Sequence, residues 1–115
     1  MSAAPYGQDA PVFAPGPYQN TPLGYAQFTV GTTAQTLVAL LAAAVKPYVL
    51  TGLERTALVS VESQSIRWID DGQTPTTSYG QPIASGQAEQ ISTDFAQLQM
   101  VAQSGTATVD VSFYK

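Results

Sequence analysis

The sequence predicts an all-β protein, a small antiparallel β-sandwich or barrel that follows an extended proline-rich arm and contains at most one short helix. Short runs of β-forming residues recur at intervals of about 8–12 residues, the spacing typical of such folds. Five of the eight prolines fall within the first 23 residues, too close together for a helix or a central strand. We therefore divide the 115 residues into an N-terminal arm, 1–23, and one sandwich domain, 24–115.

The arm has two interpretations. Its proline-rich composition is typical of a disordered tail. Its three aromatic residues, Tyr6, Phe13 and Tyr18, instead suggest an extended segment whose rings dock into grooves on other subunits. Proline lowers the entropy lost when such a segment becomes ordered, and each buried ring would contribute roughly 1.5–3 kcal/mol. We favour docking and predict these three rings as interface residues.

Two elements are predicted in the first half of the domain. Residues 25–30 alternate apolar and polar side chains, the pattern of a half-buried strand. Residues 37–45 form an apolar run that is either a short helix or a buried strand. We favour the helix because the run is rich in leucine and alanine, and because Lys46-Pro47 would end it.

The second half is predicted to be a series of strands and turns. Residues 56–62 and 65–69 are rich in β-formers and are either two successive strands or one long bent strand. A turn at Asp70-Asp71-Gly72 leads into a long polar connection over residues 73–87. A short strand over 88–92, a cap or turn at Thr93-Asp94, and an apolar segment over 98–103 follow.

The clearest strand closes the chain. Residues 106–114 follow a hairpin-type turn at Ser104-Gly105 and alternate strictly between two sets of side chains. One set is apolar and predicted to face the core: Ala107, Val109, Val111 and Phe113.

Composition argues against an enzyme. The chain has no cysteine and no histidine, which removes thiol nucleophiles, zinc-cysteine sites and histidine bases. A serine would need one of only two lysines for activation, and both lie in unsuitable places, Lys46 beside a proline and Lys115 at the last position. We predict no catalytic residue and no cofactor.

Charge is scarce. Only 10% of residues are charged, the net charge is −4, and ten of the twelve charged residues lie from Glu54 onward. Four basic residues cannot form a phosphate-binding stripe, so nucleic-acid binding is not expected. A neutral polar surface loses little on desolvation, which suits a protein packed against neighbours.

Asp70 and Asp71 are the adjacent carboxylates, and they could contribute to a calcium site. Calcium needs six to eight oxygens, and no Asp-x-Asp-x-Asp spacing supplies the rest. We favour a turn in which aspartate caps backbone amides and Gly72 takes a positive φ. No metal ligand is therefore predicted.

Arg67 and Trp68 precede this turn on opposite faces of a strand. Trp68 is predicted to pack in the core, with a sugar-stacking platform as the alternative. Arg67 is predicted to pair with Asp70 or Asp71 across the turn.

Membrane association is not expected. The first residues contain no basic residue followed by an apolar run, so they do not resemble a secretory signal. The longest apolar stretch, residues 37–45, is about half of what spans a bilayer. We expect a soluble protein.

Three segments together resemble a known group of proteins. They are Arg67-Trp68-x-Asp70-Asp71-Gly72-x-x-Pro75-Thr76, the loop Gly80-x-Pro82, and the closing strand that ends in Tyr114-Lys115. This pattern resembles small structural proteins of tailed bacteriophages, and the likeness covers about residues 56 to 115, without the arm. Asp110 departs from it, since asparagine is common there.

The resemblance implies a jelly-roll-like β-sandwich and a place in the virion, in a protein made in the cytoplasm of a bacterial host. The role it implies is capsid cement or decoration on the outer surface of the head, with the major capsid protein and copies of the chain itself, as a homotrimer, as partners. The matched residues look like turn and sheet-corner positions, so the resemblance assigns them no binding role.

Two other functions stay open. One is a different structural position in the virion: a head–tail connector or a tail- or fibre-associated protein. The other is a carbohydrate-binding module, which would need exposed aromatic side chains clustered near Trp68 and Tyr79.

Overall fold

The computed structural model describes residues 20–115, so the predicted anchors Tyr6, Phe13 and Tyr18 lie outside the described residues. Within this range the chain forms eight strands, one α-helix and one 3₁₀ helix. In chain order they are β1 (Pro22–Val30), β2 (Gln35–Thr36), α1 (Leu37–Ala42), β3 (Thr56–Glu62), β4 (Ile66–Ile69), β5 (Gln81–Ile83), β6 (Ala88–Ile91), the 3₁₀ helix (Phe95–Gln97), β7 (Gln99–Ala102) and β8 (Ala107–Tyr114).

The strands form two four-stranded antiparallel sheets, in the order β1-β8-β3-β6 and β2-β7-β4-β5. The pairing is nested: the first strand pairs with the eighth, the second with the seventh, the third with the sixth and the fourth with the fifth. A long antiparallel hairpin that rolls up on itself gives this pattern, and the roll adds the pairs β8–β3 and β7–β4. The predicted all-β sandwich is confirmed, and its strand order is that of a jelly roll.

The core lies between the two sheets and follows from strand alternation. In β8 every second side chain is at most 1% exposed: Ala107, Val109, Val111 and Phe113. In β1 the buried set is Ala26, Phe28 and Val30. Because successive residues of a strand point to opposite faces, each predicted alternation specified which side chains enter the core.

Helix α1 confirms the predicted helix but is shorter than expected. Thr36 caps it, since its Oγ1 accepts the N–H of Ala39 at 3.1 Å. The helix ends at Ala42, before the predicted stop at Lys46-Pro47. Its buried residues lie at helical spacing on one face, where the helix packs against β1 and the 3₁₀ helix: Leu37, Leu40 and Leu41.

Strands β3 and β4 confirm one of the two predicted alternatives, two separate strands: Ser63 adopts a φ of 66° between them, and they enter different sheets. Two other sequence predictions need correction. Ser104-Gly105 does not close a hairpin, because β7 and β8 also lie in different sheets. The connection over residues 73–87 contains β5, whose signal is weak because only Ile83 of its three residues is buried. Short-range patterns do not reveal where the chain passes from one sheet to the other.

The start of the domain also differs slightly from the prediction. Strand β1 begins at Pro22, and Leu23 packs against the core, whereas the arm was predicted to extend through residue 23. Just before the strand, Thr21 and Lys115 exchange two backbone hydrogen bonds of 3.0 Å, which continue the pairing of β1 with β8. Asp94 caps the 3₁₀ helix through a bond of 3.1 Å from the N–H of Ala96, in agreement with the predicted cap at Thr93-Asp94.

Gly24 provides a test of this packing. A Cβ there would lie 2.5 Å from Cε2 of Tyr48, whose ring is stacked on Phe113 and has little room to move. We expect Gly24→Ala to lower the free energy of unfolding by about 1–3 kcal/mol, measured by urea denaturation. Gly31→Ala is the matched control, since a Cβ there meets nothing within 4 Å. Equal stabilities for the two variants would contradict this account of Gly24.

Candidate functional site

The described residues contain neither a membrane-spanning helix nor a metal cluster. In residues 20–115 no helix has the length and apolar character to cross a membrane. The same range holds no group of three or more acidic side chains placed to bind a metal ion. The same range presents an exposed apolar loop and a cavity.

The apolar loop, residues 45–53, connects α1 to β3 and presents aliphatic side chains to solvent. Val45 is 78% exposed, Val49 83% and Leu53 54%. This loop was not predicted from the sequence. The available signal was the recurrence of an aliphatic residue every four positions across a segment that Pro47 and Gly52 keep out of a helix.

Glu54 holds the end of the apolar loop in one conformation. Its carboxylate accepts the N–H of Thr51 at 2.9 Å, the N–H of Gly52 at 3.0 Å and the hydroxyl of Tyr48 at 2.8 Å. Burial alone would raise the pKa of Glu54, but the bonds from Thr51 and Tyr48 outweigh it and lower the pKa to about 2. Three residues of the loop are thus bonded to one carboxylate, while the side chains of Val49 and Leu53 stay exposed.

Tyr48 fixes the loop to the core. Its ring stacks on Phe113 with centroids 4.9 Å apart and planes 19° apart. Burial, and then the bond to Glu54, raise the pKa of Tyr48 to about 12, so its hydroxyl stays a hydrogen-bond donor. One residue thus connects a buried aromatic cluster to an exposed apolar surface.

The corner cavity lies at one end of the second sheet and has a volume of about 630 Å³. Residues of β4 and of the corner loop, residues 70–80, form most of its wall. The lining residues are Arg67, Trp68, Ile69, Asp70, Asp71, Gln73, Ser78, Tyr79, Gly80 and Gln81.

The Asp70-Asp71-Gly72 turn has the conformation predicted for it. Gly72 has a φ of 90°, and Asp71 accepts the backbone N–H of Gln73 at 3.1 Å. Asp71 also accepts the side-chain amide of Gln73 at 2.7 Å. The side-chain bond from Gln73, and then its backbone bond, lower the pKa of Asp71.

Arg67 does not make its predicted pair with Asp70 or Asp71. Its guanidinium donates to the carbonyl of Gly80 at 2.8 Å and to that of Thr77 at 3.3 Å. The reason is that the corner loop passes over the outer face of β4, where Arg67 points. Gly80, with a φ of 135°, fits closely there, since a Cβ would lie 3.2 Å from Cβ of Arg67.

Trp68 lies on the inner face of β4 with Ile66 and packs, half-buried, against the core. Trp68 therefore packs against the core, as predicted, but is not enclosed by it. The same side chain also reaches the wall of the corner cavity, and its Nε1–H donates to Glu89 at 3.3 Å. Trp68 and Tyr79, separated in sequence by the corner loop, thus line one cavity.

A second carboxyl pair, which sequence analysis missed, lies on the outer face of the first sheet. Asp110 accepts the hydroxyl of Tyr25 at 2.6 Å and the amide of Gln27 at 2.8 Å. The interaction with Asp110, through a side-chain hydrogen bond and then its negative charge, raises the pKa of Glu62. The residues are diagonal neighbours on β3 and β8, a sheet-face arrangement unlike the opposed carboxyls of a glycosidase cleft.

No family model, curated protein or solved structure matches this chain.

The Glu54 network predicts a pH dependence of stability. A carboxyl whose pKa is lowered by folding stabilises the fold at pH values above its ordinary pKa of 4.5. That contribution disappears as the pH falls towards 2. We expect Glu54→Gln to be about 1 kcal/mol less stable than wild type at neutral pH, a value reduced for solvent screening. The gap should close between pH 4.5 and about 2, as measured by urea denaturation across that range. A gap that does not change with pH would contradict the role given to the charge.

Proposed function

We propose that this chain is a non-enzymatic structural protein of a tailed-bacteriophage particle. Its role is that of a capsid cement or decoration protein, which binds the outer surface of the head and stabilises the shell through subunit contacts. Its partners are the major capsid protein and further copies of itself, arranged as a homotrimer. Three independent features support the proposal.

The first is the resemblance of residues 56–115 to small phage structural proteins. The matched residues have specific structural roles in this fold. Gly72 adopts a positive φ, Gly80 packs closely against Arg67, and the last matched segment forms strand β8. The second is the eight-stranded jelly roll, an architecture common in viral capsid proteins. Architecture is only an analogy for function, so it supports the proposal without carrying it.

The observation that carries the proposal is the apolar loop. Exposed aliphatic side chains reduce solubility unless they meet a partner, and here hydrogen bonds to Glu54 order the backbone at the end of the loop. A rigid apolar surface loses little conformational entropy on docking. Its only charged residue is Lys46, so few charges would be desolvated.

Shell binding through this loop fits the rest of the surface. The loop contributes aliphatic anchors, and neutral polar side chains, which are far more numerous than charged ones in this chain, can form a hydrated rim around it. The predicted arm anchors, Tyr6, Phe13 and Tyr18, would add a second contact to a neighbouring subunit. We assign the apolar loop as the main shell contact because its aliphatic side chains are exposed and its backbone is bonded to Glu54.

A double substitution in the loop tests the proposal. We expect Val49→Ser with Leu53→Ser to weaken binding to purified phage heads by about tenfold or more, because the two side chains lose burial against the shell. Stability should change by no more than about 0.5 kcal/mol, since both side chains are exposed in the free protein. Binding can be measured by co-sedimentation of the purified chain with heads that lack it.

Leu58→Ser is the matched control. Leu58 is also an exposed aliphatic residue, at 42%, but it lies on the outer face of the first sheet, away from the loop. We expect this variant to bind like wild type. Equal binding by the double variant and wild type would refute the loop as the shell contact.

A further inference from the structure

The corner cavity has the size and the wall of a small-ligand site. Its volume of about 630 Å³ falls within the range of about 300–1,000 Å³ that is usual for such sites. Two aromatic rings and several carboxylate, amide and hydroxyl groups converge on it. None of these groups takes part in the shell contact proposed above.

We propose that the corner cavity binds a neutral oligosaccharide, with Tyr79 as the ring on which a sugar stacks. A pyranose has an apolar C–H face and a rim of hydroxyl groups. An exposed aromatic ring matches the face, and carboxylate and amide side chains match the rim. This binding is additional to attachment to the shell and does not depend on it.

Tyr79 is oriented before a ligand arrives. Its ring is 55% exposed, yet its hydroxyl donates to Oε1 of Gln73 at 3.0 Å, and Gln73 donates to Asp71 at 2.7 Å. The backbone of Tyr79 is fixed as well, by two hydrogen bonds with Thr76 of 2.9 and 3.3 Å. An exposed ring held in this way loses little entropy when a sugar packs on it.

Hydrogen-bonding groups of the same cavity wall accompany this ring. Asp70 is half-buried in the wall, and Ser78 and Gln81 are exposed on it. Together they offer carboxylate and carbonyl acceptors, and amide and hydroxyl donors, to neighbouring sugar hydroxyls. Trp68, which is half-buried against the core, also lines the cavity.

Charge selects a neutral ligand. Asp70 and Asp71 give the wall a negative potential, which disfavours phosphate groups and acidic sugars. Arg67 is the one cation among the lining residues, and it is bonded to the carbonyls of Thr77 and Gly80. An apolar peptide would leave the polar half of the wall without hydrogen-bond partners.

The test is a titration of the full-length chain with neutral oligosaccharides selected on a glycan array. Trp68 is the sole tryptophan and lines the cavity, so its fluorescence reports occupancy directly. We expect saturable binding of a neutral glycan with a fluorescence change. Tyr79→Ala should weaken it by about tenfold, the loss of one aromatic contact.

Tyr25→Ala is the matched control, because Tyr25 is 57% exposed and lies on the outer face of the first sheet. It should bind the glycan like wild type. The proposal is overturned if no neutral glycan binds, or if Tyr79→Ala binds as tightly as wild type. Preference for an acidic glycan or for a lysine-rich peptide, the other ligand that the acidic wall could attract, would overturn it too.

Discussion

The packing of Phe113 is the interaction on which the rest of the molecule depends. Its side chain is fully buried in β8, the strand that pairs with both β1 and β3 in the centre of the first sheet. One face of the ring stacks on Tyr48, and Phe95 of the 3₁₀ helix meets it edge-on, with centroids 5.5 Å apart. Phe113 therefore joins the central strand to the start of the apolar loop and to the connection that leads into β7. The apolar loop and the connection from β6 to β7 thus both contact this one buried cluster.

Both surface features are stabilised in the same way, by hydrogen bonds of polar side chains within a loop. In each, a polar side chain accepts or donates several hydrogen bonds within a loop and so fixes nearby apolar or aromatic side chains in solvent. Glu54 does this for the apolar loop, while Arg67 and the Gln73–Asp71 pair do it for the corner loop. A loop without such bonds would lose more conformational entropy when a partner binds. In both loops the hydrogen bonds therefore define a surface on a chain that has few charged residues.

The local structure was predictable because it follows from short-range rules. Alternation in β8 and β1 and the leucine spacing of α1 specify which faces are buried, and the Asp70-Asp71-Gly72 turn follows from the conformational freedom of glycine. The assignment of strands to sheets was not predictable, because β3 and β4 are close in sequence yet separate at Ser63. Arg67 shows the same limit: its charge suggested a carboxylate partner, but the path of the corner loop brings carbonyl groups closer. The Glu54 network and the meeting of Trp68 with Tyr79 likewise depend on the fold rather than on local pattern.

The most direct test of the proposed role is the copy number of the chain in purified phage particles. Quantitative mass spectrometry can compare its peptides with those of the major shell protein. A cement protein must occupy repeated sites on the lattice, so we expect a copy number equal to that of the shell protein or a simple fraction of it, consistent with the threefold positions. A few copies per particle would place the chain at the portal, tail or fibre and contradict the decoration role. Absence from the particle would contradict any structural role in the virion.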